Sequence, residues 1–291
     1  MQPTHGPAKR PQAGPPAMPL TLDGSPVLHQ MFRIRWPEWK ALDDSTRSAA
    51  IDEAVAALSK QEAHEEGGSA VFAQLGHKGD LLFVHFRRSF DSLHQVELQQ
   101  SRLTLSKFLE PTKTYVSSVE LGLYAASVQL YESLVENGVE PGSEEWVAAE
   151  QEKLAEQREA MAPRLWPSVP PHKYVCFYPM DKKRGEQVNW YTQAIADRSR
   201  MMRDHGMIGR RYAGKVKQII SGSIGFDDWE WGVDLFADDA LVFKQLIYEM
   251  RFDEASALYA LFGEFFIGIR LQAAQFGKML AGGDPEYGAQ A

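Results

Sequence analysis

The 291-residue chain has a single cysteine, Cys176. That excludes an intrachain disulfide framework and any cysteine-cluster zinc or iron–sulfur site. It fits a reducing, intracellular setting, and the expected location is cytoplasmic. Long apolar runs are missing too. No uninterrupted stretch of about 18 apolar residues occurs, so no membrane span is expected. The N-terminal region lacks the apolar run of about 7–15 residues that marks a signal peptide. Cations are the minority charge, 31 against 39 anions, a formal net of −8. That argues against a surface built throughout for nucleic acid or acidic lipid. The phosphate motifs GxxxxGK[ST] and GxGxxG are absent, as are HExxH and GxSxG.

What remains is an ordinary globular composition, 44% hydrophobic and 24% charged, on a chain long enough to bury a substantial core. Residues 1–25 hold six prolines and few large apolar side chains, and read as a disordered lead. Residues 26–130 predict strand Val27–Trp36, helix Ser45–Lys60, strands Ser69–Gln74 and Leu81–Arg87, helix Asp91–Leu103 and strand Tyr115–Leu123. Residues 172–280 repeat that order. They predict strand Lys173–Tyr178, helix Ala194–His205, strands Lys215–Ser221 and Trp229–Leu235, helices near Asp238–Glu249 and Glu254–Leu261, and strand Glu264–Arg270. Each half is a split βαβ pattern, which makes the fold class α+β. Residues 131–171 read as a linker: a polar loop, a Glu-rich helical run from Glu144 to Glu159, then a proline-rich segment. The acidic run reads as a solvated helix face rather than a partner-binding tail. Residues 281–291 read as a frayed tail.

Charge is uneven. Tyr178–Gln218 carries ten cations and four anions, a net of +6, which leaves −14 for the rest. Such an island is either an anion site or a solvated helix with its loops. A nucleic-acid role is disfavoured because no aromatic-rich RNP-type strand is present. Cys176 sits in the apolar run Tyr174–Tyr178 and reads as core filler. The ligand-type run Glu62–Glu66 lacks a helical histidine pair and reads as a helix end. His29 and His85 fall on strands, as partly buried residues. His205 closes a cation-rich helix and precedes Gly206. Its imidazole either binds a metal, oriented by a carboxylate, or satisfies the helix C-terminus.

Three stretches go further: Tyr178–Tyr191 (YPMDKKRGEQVNWY), Arg203–Phe236 (beginning RDHGMIGRRYAGKVKQ) and Met250–Ser256 (MRFDEAS). Together they closely resemble the coproheme decarboxylases of the chlorite dismutase superfamily, the type found in Gram-positive and related bacteria. The resemblance runs roughly from Val27 to Leu280 and is strongest after Lys173. It implies tandem ferredoxin-like repeats forming an α/β barrel of the dimeric α/β-barrel type, a homopentamer, and haem held in the C-terminal half. It implies peroxide-dependent oxidative decarboxylation of two propionates of Fe-coproporphyrin III (coproheme). The products are vinyls and haem b, and the substrate iron is the reactive metal. His205 would be the proximal iron ligand, and Tyr178 the catalytic tyrosine, oxidised to a radical. Lys182 would hold a propionate or move a proton. Arg164, Arg251 and Ser256 would anchor propionates, Met180 would line the pocket, and Trp190 would lie near the substrate edge. Backbone from Tyr178 through Pro179 and Asp181 to Lys182 would also touch substrate. Gln218 stands where chlorite-degrading relatives carry an arginine, which predicts little chlorite dismutation. A coproporphyrin ferrochelatase is the expected supplier of substrate. A non-catalytic haem or coproheme carrier and a general haem peroxidase are the competing readings on the same fold.

Overall fold

The computed structural model describes residues 18–64 and 67–288. Most of the expected disordered lead, residues 1–17, lies outside the described residues, as do Glu65, Glu66 and the end of the tail. The first repeat comprises β1 (Thr21–Ile34), α1 (Trp36–Lys40), α2 (Asp44–Glu62), β2 (Ser69–Gln74), β3 (Leu81–Phe86), α3 (Phe90–Ser101) and β4 (Leu109–Gly122). Two helices follow, α4 (Tyr124–Glu136) and α5 (Glu144–Leu165). The second repeat comprises β5 (Tyr174–Lys182), α6 (Ile195–Arg211), β6 (Lys217–Gly222), β7 (Trp231–Ala237), α7 (Leu241–Met250), α8 (Glu254–Tyr259), β8 (Ala260–Phe262), β9 (Phe266–Leu271) and α9 (Ala273–Leu280).

Strand order is β7-β6-β4-β1-β3-β2-β9-β5-β8, and β5 also pairs with β7. Eight strands therefore close on themselves, with β8 a short flap on the end of β5. Every ladder between these strands is antiparallel. Closure removes the exposed edges that an open sheet would leave. The expected α+β barrel of two ferredoxin-like repeats is the observed fold.

The registers define an internal two-fold axis. Adding 148 to β1 numbers, 149 to β2, 150 to β3 and 151 to β4 carries each ladder of the first repeat onto its counterpart. Gln30↔Phe83 becomes Tyr178↔Val233, Ser69↔His85 becomes Gln218↔Leu235, and His29↔Tyr115 becomes Phe177↔Phe266. The same shifts exchange the two junctions, Ala73↔Ile269 with Ser118↔Gly222. His29 maps onto Phe177, and these two rings stack with centroids 3.9 Å apart. The axis therefore passes between them in the barrel interior. That interior is packed by Val27, Met31, Phe72, Val84, Tyr115, Phe177, Phe236 and Phe266. His29 Nε2 also meets Asp234 of β7 at 2.9 Å, with both side chains fully buried. Residues of opposite parity face outward, under the helices.

Several elements depart from the sequence expectations. The lead becomes β1 at Thr21, and Leu22 is fully buried against Leu123 and Leu165. β4 begins six residues early, at Leu109. Its Pro111 sits beside a register break, where a missing N–H is tolerated. The polar loop expected from Tyr131 is the middle of α4, and Tyr131 stacks on Trp146 of α5. α6 does not stop at His205 but runs to Arg211 through Gly206 and Gly209, neither of which takes a positive φ. The helix expected to reach Leu261 ends at Tyr259 and gives way to β8. Cys176 is core, as expected. Burial and the nearby Asp234 charge push its thiol up to about 12.

Candidate functional site

Alternation along β5 puts Cys176, Tyr178, Met180 and Lys182 on the outward face. Val175 and Phe177 point into the barrel. Ile219 of β6 is interior, so Gln218 is outward as well. Over this face lie α6, α7 and α8. Tyr178 packs with Val233, Leu235, Ile208 and Met250. Its ring stacks on Phe265 at 4.6 Å and meets Phe262 at 5.8 Å. With only 4% of its surface exposed, the phenol is pushed well up by burial and by Cys176, against an opposing pull from Arg251. It is therefore a neutral O–H throughout the ordinary pH range.

His205 occupies the middle of α6. Its Nδ1 lies 2.9 Å from Asp253 Oδ2, and Ser256 Oγ lies 3.3 Å from the same nitrogen. Asp253 is the N-cap of α8: its Oδ1 accepts from Ser256 N at 2.9 Å and its Oδ2 from Ser256 Oγ at 3.1 Å. Burial opposes ionisation of Asp253, but the hydrogen bonds from His205 and Ser256 outweigh it and hold the carboxyl below its usual range. A carboxylate on Nδ1 fixes the tautomer with its proton there, so Nε2 presents a lone pair. The neighbouring positions on α6 are bare. Gly206 follows His205 directly, and a Cβ there would meet nothing within 4 Å. Gly209, one turn on, would meet only Met250 Cε at 3.4 Å and Gln218 Oε1 at 4.0 Å. Two mid-helix glycines each cost about 1 kcal/mol relative to alanine. Here they leave a flat strip of backbone beside an imidazole, opposite Gln218.

Lys182 is 9% exposed. Its Nζ donates to Ala255 O at 3.2 Å and lies 4.5 Å above the Trp190 ring. Burial lowers its pKa to about 8, against the opposing pull of Asp253 and Glu230. Trp190 is buried with Met201, Ala255 and Tyr259. Arg251 is exposed at the end of α7, with its guanidinium 3.9 Å over Phe262, the ring that also meets Tyr178.

The structure thus brings together Tyr178, Met180, Lys182, Trp190, His205, Gln218, Arg251 and Ser256. The others stand apart. Pro179 and Asp181 have the opposite parity on β5, and the Asp181 carboxylate accepts from Glu230 N at 2.7 Å. The β5 backbone is engaged as well: Pro179 O accepts from Gly263 N, and Lys182 N donates to Glu230 Oε2 at 2.9 Å. Ser256 spends its hydroxyl on Asp253 and His205, so it orients the histidine. Arg164 is exposed on the last turn of α5, beside the first repeat, with Nη1 3.6 Å from Met161 Sδ. Asp253 is the residue that sequence reasoning missed. It lies inside the quoted MRFDEAS stretch, and an Asp three residues before a Ser at a helix start is a capping signal.

The structure defines a closed, antiparallel α+β barrel whose helix α6 carries a carboxylate-held histidine next to a glycine. Comparison with known proteins goes further. The chlorite dismutase family model matches residues 47–271. A haem-binding protein from Thermus thermophilus is 36% identical over 92% of this chain and the whole of that one, with a TM-score of 0.77. A putative chlorite dismutase (14% identity, 88% of this chain and 99% of that one, TM-score 0.63) shares the fold. So does a variant of chlorite dismutase from Candidatus Nitrospira defluvii (16%, 89% and 96%, TM-score 0.66). The chain belongs to the chlorite dismutase family. Among the described residues no helix is long and apolar enough to cross a membrane.

Proposed function

We propose that the protein is a hydrogen-peroxide-dependent coproheme decarboxylase that converts two propionates of Fe-coproporphyrin III to vinyls and yields haem b. One observation carries this reading. A buried, protonated, oxidisable phenol, Tyr178, packs in one cluster with Ile208 of α6, and the same helix carries a histidine held at Nδ1 by a carboxylate. A carrier needs the histidine but has no use for the phenol. The 36%-identical haem-binding relative supports an iron–porphyrin ligand.

For each propionate the balance is R–CH2–CH2–COO⁻ + H⁺ + H2O2 → R–CH=CH2 + CO2 + 2 H2O. The substrate iron supplies the redox chemistry with peroxide. This chain's residues do the rest. His205 Nε2 would hold the iron, and the Asp253 carboxylate would keep the Nδ1 proton in place. The Tyr178 phenol would give up an electron and its proton to the peroxide-oxidised substrate and then take a hydrogen atom from the propionate side chain. The carbon radical left behind would lose CO2 as its remaining electron passes to the same oxidant, which completes the two-electron balance above. Lys182 Nζ, cationic below about pH 8, holds a carboxylate or returns a proton. Arg251 adds a second fixed cation beside the tyrosine's aromatic wall. Gln218 offers peroxide an amide rather than a cation. We assign the working protein to the cytoplasm as a homopentamer, fed by a ferrochelatase that inserts iron into coproporphyrin.

The test adds Fe-coproporphyrin III to the purified chain and titrates peroxide, following product mass. Loss of two CO2 and four hydrogens per molecule is the expected result. Spectral binding with unchanged mass makes the protein a carrier. Rapid oxygen release from chlorite would overturn the reading of Gln218.

A further inference from the structure

The first repeat carries a cavity on the outward strand face that corresponds to the Tyr178 face of the second. It lies between the outward face of β1 and β3 and the helices α2 and α3, as a cavity of about 210 Å³. The two-fold maps Tyr178 onto Gln30 and Met180 onto Phe32, and both of those residues line it. Counting 27 residues on from Tyr178 reaches His205, and the same count from Gln30 reaches Ala57, another lining residue. The proposed phenol position is therefore a glutamine here, the facing stretch of α2 offers Ala54 and Ala57 where α6 carries His205, and no cation is among the lining residues.

What lines it instead is specific. Phe32, Phe83 and Phe276 form an aromatic wall, with Phe83 edge-on to each of the other two at 5.9 and 6.3 Å. Two amide oxygens among the lining residues, Gln30 Oε1 and Gln100 Oε1, are buried without a hydrogen-bond partner among the described residues. Gln100 meets His85 Nε2 at 3.2 Å through its amide nitrogen, and so leaves its oxygen free. Burial, reinforced by Arg87 and His29, keeps His85 neutral, with its pKa down at about 3. Buried acceptors without donors are costly in a folded protein, and a ligand donor removes that cost. An apolar cavity of about 150 Å³ holds benzene. This one has room for a second ring and none for a tetrapyrrole.

We propose that the cavity is a binding site for a small, uncharged aromatic molecule of one or two rings bearing an N–H or O–H donor. The rings would pack on the three phenylalanines, and the donor would meet Gln30 or Gln100. Glu97 on the rim and the absence of a lining cation disfavour carboxylates and phosphates.

Indole is the probe, titrated calorimetrically into the full chain beside 1-methylindole, which has the same ring but no donor. The expected result is one saturable indole site per chain, with 1-methylindole about tenfold weaker. Ala57→Phe, which fills the cavity from α2, should abolish indole binding while the thermal melt stays cooperative. Gln30→Leu is the second variant. It should weaken indole and leave 1-methylindole unchanged, which a merely structural Gln30 would not do. No saturable indole binding, binding that survives Ala57→Phe, or equal affinity for the two probes overturns the proposal.

Discussion

The two repeats share one backbone plan and divide its contents sharply. At equivalent outward positions the second repeat has Tyr178, Met180, Lys182 and Gln218, and the first has Gln30, Phe32, Ile34 and Ser69. On the covering helix the second repeat carries His205, where the first presents Ala54 and Ala57 to its cavity. The second repeat also gains something that no substitution could supply. The sharp turn between α7 and α8 delivers Arg251, Asp253, Ala255 and Ser256 to one spot. α8 itself is only six residues long. The comparison teaches that the barrel provides a helix-covered outward strand face twice, and that a handful of side chains distinguish the two. Burial is similar in both. The difference is whether the buried polar groups are paired with one another, as Asp253 and Ser256 are, or left waiting, as the Gln30 and Gln100 oxygens are.

The largest expected effect comes from making the second repeat more like the first at its phenol. Tyr178→Phe keeps the ring on Phe265 and removes only the O–H. Coproheme should still bind, with decarboxylation down on the order of 10²–10⁴-fold, read by product mass under peroxide. Normal turnover would remove Tyr178 from the mechanism. Next is His205→Ala, which gives α6 the small side chain that α2 presents to its cavity. It should change the Soret band and weaken iron ligation, and an unchanged spectrum would remove the proximal role.

Much of this contrast was legible before any coordinates. The repeated β-α-β-β-α-β order is written in alternating and helical periodicities, and β2 and β3 fell within a residue of their predicted bounds. The cation-rich helix and a strand ending at Tyr178 are also visible locally, whereas the run of β5 on to Lys182 depends on its pairing with β7 and β8, and the choice of His205 rests on the family resemblance. What was hidden depends on tertiary contact. Gly206 reads as a helix stop because a C-terminal glycine is the commoner use. Its place in mid-helix, one turn before Gly209 with Gln218 and Met250 close by, appears only in the folded chain. Tyr131 looked like loop because its partner, Trp146, is on another helix. The propionate role of Ser256 comes from the family resemblance alone, and nothing local shows that its hydroxyl meets Asp253 and His205. The inward and outward parity of β5 separates Asp181 from Lys182, and a list of motif residues does not carry parity.

A middle-sized effect tests the paired carboxylate. Asp253→Asn retains an N-cap oxygen for Ser256, so α8 is not uncapped. It removes the charge that holds the Nδ1 proton. Coproheme affinity or turnover should fall about 10–100-fold, with the iron reduction potential raised. A variant with wild-type spectrum and rate would make Asp253 a helix cap alone.

The smallest effect is a matter of pH, and it turns on Lys182 against its counterpart Ile34. Burial brings the folded-state pKa of Lys182 to about 8, from an ordinary value of 10.5. Between these two pH values the unfolded chain binds the proton and the native chain does not, so stability rises with pH across that window. The penalty of a buried cation is full below pH 8 and gone above 10.5. Lys182→Met, an apolar replacement like Ile34, should remove this slope, seen as denaturant melts that diverge from wild type below about pH 8 and converge in shape above 10.5. Function should move the other way. A neutral amine no longer attracts a propionate, so coproheme binding by the wild type should weaken as pH rises through about 8. Lys182→Arg should carry that binding to higher pH because guanidinium stays charged. Binding that is flat through about pH 8 in both proteins would make Lys182 a packing residue between Trp190 and α8, the same role Ile34 plays in the first repeat.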